Sequence, residues 1–417
     1  MFGHKFKEEQ FSFGKNVVQV NNGSFGSVPT TVLQKYKEAI DLDHEFSDRY
    51  LLYKLPGTLK EATAQVAEFV NSDVNNIVFT MNATTSVNTV LRSYPFVKGD
   101  KIAMFDITYG ACANTVKFLS KRQGIEVVTV ELKLPLEDDE IVEKFEATLK
   151  EEKPKLALFD VIVSMPGIRL PFERLIEVCR KHNVLSLVDG AHAIGILPLD
   201  LKKWKPDFFL SNLHKWLYVP KGCSFLYVDP KHHRNIHTFP VSHSYLDDEE
   251  VLSEELEKTR LVDRFAFYGT FSYAGIDCIP AALEFRRTVC GGEEKINDYC
   301  FKLAKDAANH IAKQWNTSIL ENAKGTLSTT MSNVEVPVND QLLQFLKKDK
   351  KNIVKLRKTV DPLMLKEHNT LLPSIFHNGK LWVRFSAQIY NELSDYEYAS
   401  GLFLKLLEEN EAHILSL

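Results

Sequence analysis

Between about Lys60 and Tyr227 short apolar runs alternate with longer amphipathic stretches, and no other feature of this chain restricts its fold so much. The strand-like runs are Ile77–Thr80, Lys101–Phe105, Glu126–Val130, Leu156–Phe159, Leu185–Val188, Phe208–Ser211 and Ser224–Val228. That rhythm predicts an α/β fold, a mostly parallel sheet covered by helices. Sheets of this kind bind ligands at the loops beyond the C-terminal ends of their strands. Residues that follow the runs are therefore the first candidates for chemistry.

A length of 417 residues suits a large domain plus a smaller one. Beyond about Cys290 the pattern shifts to longer helices and fewer strands, with one strand-like run at Leu381–Phe385. The expected division is an N-terminal segment over 1–30 that contributes to the active site, a large domain over 31–289 and a small α+β domain over 290–417. Asn21–Pro29 reads as a turn before a helix from Thr30, and its glycines allow close backbone approach to a ligand. The lysine-rich stretch Lys347–Lys358 reads as a solvated helix face or loop, since Lys+Arg 51 and Asp+Glu 55 leave a net charge of only -4. Nothing in this balance points to nucleic acid or anionic lipid, and a small-molecule substrate is expected. The N-terminus lacks the apolar stretch of a secretory signal, so a cytoplasmic location is expected. No apolar run approaches the roughly 20 residues that span a bilayer. The six cysteines show no paired spacing, and neither a metal site nor a disulfide framework is expected.

The most informative segment is Phe209–Leu217, where a strand-like run ends in polar residues and Lys215 stands between His214 and Trp216. A lysine amine becomes a nucleophile when desolvation or nearby positive charge lowers its pKa, and an aldehyde cofactor is its natural target. Asp189 closes the apolar run Leu185–Val188, and an acid at a buried strand end needs a cationic partner. The protonated ring nitrogen of pyridoxal 5'-phosphate (PLP) is such a partner, and an aspartate beside it keeps the ring an electron sink. His192, just beyond, is a candidate donor to the ring 3'-oxygen. Met81–Ser86 opens a helix with hydroxyl side chains and free N–H groups, a start that fits the cofactor phosphate; ordinary capping by Thr84 or Ser86 is the alternative. Tyr109 follows Phe105 and can stack on a flat heteroaromatic ring. Arg384 lies inside an apolar run, where a guanidinium needs a carboxylate. The substrate α-carboxylate is the candidate partner, and a structural ion pair is the alternative.

Taken together, Val188–His192 followed by Ser211–Trp216 resembles the class V aminotransferase family, in its isopenicillin N epimerase-like branch. The resemblance runs from Asn22–Gly26 through Asn82–Thr85, Tyr109–Ala111 and Gly269–Thr270 to Arg384–Ser386, with no anchor between about Ala323 and Asn378. It implies the fold type I PLP-dependent transferase architecture, a homodimer with active sites at its interface, and Lys215 as Schiff-base lysine and proton shuttle. It further implies that Ala83, Thr84, Asn212 and His214 lie near the phosphate or the lysine, that Tyr109 stacks on the ring, and that Thr270 reaches the phosphate of the other subunit. Asn22, Gly23 and Ser164 are expected to join Arg384 around the substrate. Asn212 stands where many relatives carry serine, and Ser272–Tyr273 departs from the acidic pattern of the epimerases.

Val163–Glu173 and Phe385–Asn391 resemble the fungal lyases that cleave hercynylcysteine sulfoxide in ergothioneine synthesis. The implied reaction is a β-elimination. Lys215 removes the Cα proton, the carbon–sulfur bond breaks, and the aminoacrylate left behind hydrolyses to pyruvate and ammonia, with Tyr109 or a water protonating the departing sulfur. Persulfide-forming desulfuration is disfavoured because no cysteine follows Cys300. The alternatives are an amino-acid epimerase, a cysteine desulfhydrase and a transaminase, since PLP lets one scaffold break different bonds at Cα.

Overall fold

The computed structural model describes residues 2–349 and 351–417; Met1 and, within the lysine-rich stretch, Lys350 lie outside the described residues. Every strand-like run of the first half becomes a strand of one seven-stranded sheet: β1 Ile77–Thr80, β2 Lys101–Phe105, β3 Glu126–Val130, β4 Leu156–Asp160, β5 Leu185–Asp189, β6 Phe208–Asn212 and β7 Ser224–Val228. The order is β1-β7-β6-β5-β4-β2-β3. Strands β2 to β6 run parallel, while β7 lies antiparallel to both β1 and β6.

Alternate side chains of the central strands feed two apolar layers, as a sheet covered on both faces requires. Phe105, Phe159, Val188 and Phe209 pack toward the helices Asp138–Glu152 and Phe172–Lys181. Met104, Leu158, Leu187 and Leu210 pack toward Ala83–Ser93 and Gly110–Gln123. Three strands run one residue past the sequence expectation, β4 to Asp160, β5 to Asp189 and β6 to Asn212, each ending on a buried polar side chain. Asp160 pairs in register with Asp189, which sets two carboxyls side by side at one edge of the crevice.

A second, three-stranded antiparallel sheet has the order β8-β10-β9, with β8 Met331–Glu335, β9 Ser374–His377 and β10 Lys380–Ser386. Only β10 was legible in the sequence; β8 and β9 lie in the stretch that carried no motif. The helix Glu293–Trp315 packs against β8. Lys347 and Lys348 sit on the helix Asp340–Lys348 and Lys355 and Lys358 on the helix Asn352–Glu367, where Lys347, Lys348 and Lys358 are exposed. No helix among the described residues is long and apolar enough to cross a membrane.

The N-terminal segment is stitched to this second sheet. Ser386 N donates to Val20 O at 3.0 Å, Asn21 bridges to Ser386, and Thr370 Oγ1 donates to Val18 O at 2.8 Å. The stitching lays the short helix Asn22–Phe25 against the helical turn Leu213–Trp216. Gly26, at φ +71°, ends that short helix, and a Cβ there would overlap the His214 carbonyl. Only glycine permits both the left-handed backbone and the close approach.

Candidate active site

Strand β6 ends at Asn212 and the chain turns at once into Leu213–Trp216, which holds Lys215 beside the carboxyl ends of β4 and β5. Lys215 Nζ lies 2.9 Å from His192 Nε2, and Trp216 Nε1 donates to His192 Nδ1 at 3.1 Å. Burial lowers the Lys215 pKa from 10.5 to about 8, against the pull of Asp189 and Asp160 and with the help of the Arg384 charge. Burial likewise pushes His192 well below 6.5, so its ring is neutral near pH 7. The site thus holds an amine that sheds its proton near physiological pH, the property a lysine nucleophile and base requires.

Asp189 is fully buried; its Oδ1 accepts from Ala191 N at 2.9 Å and its Oδ2 lies 3.3 Å from Cys112 Sγ. Burial raises its pKa. On the neighbouring strand, burial and the Asp189 charge push Asp160 well above the carboxylate range, and Asp160 Oδ2 has no hydrogen-bond partner. Two adjacent buried carboxyls resist ionising together unless a cation joins them. A protonated heteroaromatic nitrogen would be such a cation. The turn after Asp189 is fixed by Ser211, whose hydroxyl donates to Gly190 O and accepts from Ile194 N at 3.1 Å.

Asn82, rather than Thr84 or Ser86, caps the helix Ala83–Ser93: its Oδ1 accepts from Thr85 N at 2.9 Å. Ser86 is turned inward to Thr80 Oγ1 at 2.6 Å. Asn212 Oδ1 accepts from Ala83 N at 2.8 Å, so this asparagine ties the helix start to β6 and the Ala83 N–H is already engaged. Tyr109 sits at the start of Gly110–Gln123 with 47% of its surface exposed. His214 Nδ1 donates to Cys223 O at 3.0 Å, and burial lowers its pKa to about 4. Thr270 is exposed on the turn after Glu254–Ala266, and no hydrogen bond among the described residues joins it to the Lys215 cluster.

Arg384, on β10, is 1% exposed. Its Nη1 donates to Ser164 O at 2.7 Å and Ser164 Oγ at 3.3 Å; its Nη2 donates to Asn21 Oδ1 at 2.5 Å and Ser24 Oγ at 3.1 Å. Nε has no partner, and every acceptor is neutral. The structural ion pair that sequence reasoning offered as the alternative is therefore absent among the described residues. Burial, with Arg357 adding to it, lowers the Arg384 pKa from 12.5 to about 10. A buried guanidinium without a counter-charge is a site for an anion.

Two expected substrate contacts are otherwise occupied. Asn22 donates through Nδ2 to Lys215 O at 3.0 Å, and its Oδ1 accepts from Tyr390 OH at 3.0 Å, so the buried side chain holds the lysine backbone. Gly23 is a packing glycine: a Cβ would stand 2.8 Å from Met331 Sδ and 3.3 Å from Trp216. Sequence reasoning missed Asn21, Ser24 and Asp160, although the first two lie in the turn it singled out and the third closes a strand it had placed. It also missed Arg286, a buried cation that donates to Trp216 O at 2.7 Å and Gly195 O at 3.0 Å and pairs with Glu293; no local signal marks it.

The family model described as Aminotransferase class-V matches residues 46–398. The hercynylcysteine sulfoxide lyase of Schizosaccharomyces pombe is 30% identical over 399 residues, covering 95% of this chain and 96% of that protein. An L-cysteine desulfhydrase-like protein of Epichloe uncinata is 30% identical over 436 residues, covering 96% and 95%. Among solved structures, the cystine C-S lyase C-DES in complex with cysteine persulfide superposes with a TM-score of 0.71 at 21% identity, covering 94% of this chain and 97% of that one. A cysteine desulfurase from Thermococcus onnurineus NA1 reaches 0.71 at 17% identity, covering 98% and 99%. At those identities the solved structures establish the fold.

Proposed function

The chain belongs to the class V aminotransferase family and is a PLP-dependent enzyme of the carbon–sulfur lyase group, and from that premise we propose that it performs β-elimination on a cysteine-derived amino acid, with hercynylcysteine sulfoxide as the leading substrate. The observation that carries the reading is the pairing of a depressed lysine with a buried, carboxylate-free arginine at one site. The residues fit the cofactor: Lys215 for its aldehyde, Asp189 beside Asp160 for its ring nitrogen, Tyr109 for its ring face, and the start of Ala83–Ser93 with Thr84 for its phosphate. PLP, when bound, supplies the electron sink that makes the substrate Cα–H acidic.

The chain's own groups then divide the work. Arg384, set by Ser164, Asn21 and Ser24, binds the substrate carboxylate and orients Cα toward Lys215. Lys215, neutral above about pH 8, takes the Cα proton at Nζ. Asp189 would hold the proton on the ring nitrogen, and exposed Tyr109 would deliver one to the departing sulfur. Loss of the sulfur fragment leaves an aminoacrylate that water converts to pyruvate and ammonia. All six cysteines are buried, which supports elimination over a reaction that stores sulfur on an enzyme thiol. A homodimer that brings Thr270 to the partner's phosphate, a cytoplasmic location and a division into 1–30, 31–289 and 290–417 belong to the same proposal. The test is pyruvate release by the PLP-loaded protein from hercynylcysteine sulfoxide, S-alkylcysteine sulfoxides and cysteine, with Lys215→Ala as the control. Pyruvate from a sulfoxide or thioether supports the reading; Cα-deuterium exchange without pyruvate from any of them rejects it.

A further inference from the structure

Trp216 is buried, and its indole N–H has one acceptor, His192 Nδ1 at 3.1 Å. The residue is held through both its backbone and its ring. Arg286 Nη1 grips the Trp216 carbonyl at 2.7 Å, Gly23 leaves room for the indole where a Cβ would come within 3.3 Å, and Gly195 lies against the same carbonyl. An indole nitrogen can only donate, so Nδ1 of His192 must carry a lone pair. A neutral ring then bears its proton on Nε2, the atom 2.9 Å from Lys215 Nζ. An ammonium group has three donors and no acceptor, so Nε2–H can be satisfied only by the neutral amine.

We propose that Trp216 is a positioning residue for Lys215: by locking His192 in the Nε2–H tautomer it makes the imidazole an obligatory donor, which favours the free amine of the resting lysine and presents the same N–H to an oxygen of the bound cofactor. The inference rests on the PLP reading of Lys215. Around that amine, Asp189 and Asp160 at the ends of β5 and β4, with Cys112 beneath them, favour the charged lysine, while Arg384 on β10 and the His192 donor oppose it. His214, on the lysine's own turn, is neutral and bonded to Cys223 O. Burial is the largest influence favouring the free amine, and the donor geometry acts in the same direction.

The first test follows the rate at which the full-length chain, stripped of cofactor, captures added PLP as a lysine-bound visible band, measured against pH for wild type and Trp216→Phe. In the variant His192 is free to flip and accept from the ammonium. A hydrogen bond gained by one protonation state is worth on the order of 1 kcal/mol, so the midpoint of capture moves up by about one pH unit. Superimposable profiles overturn the proposal while leaving the cofactor reading intact; a wild type that captures no PLP removes the cofactor reading itself. The second test reads the wild-type chain itself: nitrogen-15 NMR, with His192 assigned by the signal lost in His192→Gln, reports the tautomer directly. A single Nε2–H form from pH 6.5 to 8 is expected. A protonated Nδ1, or exchange between the two forms, overturns the proposal.

Discussion

Replacing Arg384 with methionine separates a substrate-binding arginine from a structural one. Its pKa falls from 12.5 to about 10 in the folded chain. At ~1.4 kcal/mol per pKa unit this amounts to about 3 kcal/mol against the fold. The unfolded chain holds the proton more tightly, so the penalty is fully present below pH 10 and fades between about 10 and 12.5. Methionine removes that penalty but leaves the Ser164 carbonyl and hydroxyl without their donor, at a cost of about 1–3 kcal/mol. Asn21 Oδ1 keeps the Ser24 hydroxyl at 2.8 Å and stays satisfied. The two effects nearly offset, and urea unfolding of the cofactor-free Arg384→Met chain should fall within about 2 kcal/mol of wild type. Catalysis should respond very differently. Loss of the charge-assisted contact that the free Nε–H offers the substrate carboxylate is worth about 1.5–3 kcal/mol, or roughly 10- to 10²-fold in kcat/KM for pyruvate release. A variant destabilised by more than about 3 kcal/mol with kcat/KM intact would show that the guanidinium serves the fold, as a broken buried ion pair does, and would refute the argument.

Two further perturbations read the same site from other directions. Gly26→Ala combines a left-handed backbone at φ +71° with an overlap on the His214 carbonyl, so it should lose at least ~2 kcal/mol in thermal or urea unfolding and bind PLP more weakly. Unchanged unfolding would mean that the short helix Asn22–Phe25 does not brace the lysine turn. Lys215 is held at about 8 in the fold against 10.5 in an unfolded chain, so its penalty is fully present below pH 8 and is relieved between 8 and 10.5. The cofactor-free wild type should accordingly gain stability relative to Lys215→Met as pH rises from 7.5 to 10. Parallel unfolding midpoints for the two proteins across that range would contradict the depressed lysine.

The large sheet was legible because its strands are short apolar runs with helix-length intervals, and a buried parallel strand has little else to be made of. Lys215, Asp189, His192 and Arg384 were legible for the opposite reason: each is a polar group where the local pattern calls for burial. What local pattern cannot carry is pairing across the chain. Asn21 meets Arg384, Asn212 meets Ala83, and Arg286 meets Trp216 only after the sheet and the N-terminal segment are assembled. Asn22 is a case in point. Its place in a glycine-rich turn suggested a ligand contact, yet both ends of its amide are engaged by Tyr390 and by the backbone of the lysine.

The same distinction explains why the site can be recognised without its ligands. A fold that served stability alone would pair Arg384 with a carboxylate, give Asp160 Oδ2 a donor, and leave Lys215 protonated against Asp189. Instead the guanidinium Nε and one Asp160 oxygen stay buried without partners, and the amine faces a donor. Each departure costs stability, and each is complementary to one part of an amino acid joined to a protonated ring: a carboxylate, a cationic nitrogen, an electrophilic carbon. On the proposed function a PLP-linked amino acid would complete all of them at once, which is why losing Arg384 should be nearly silent in unfolding and costly in turnover.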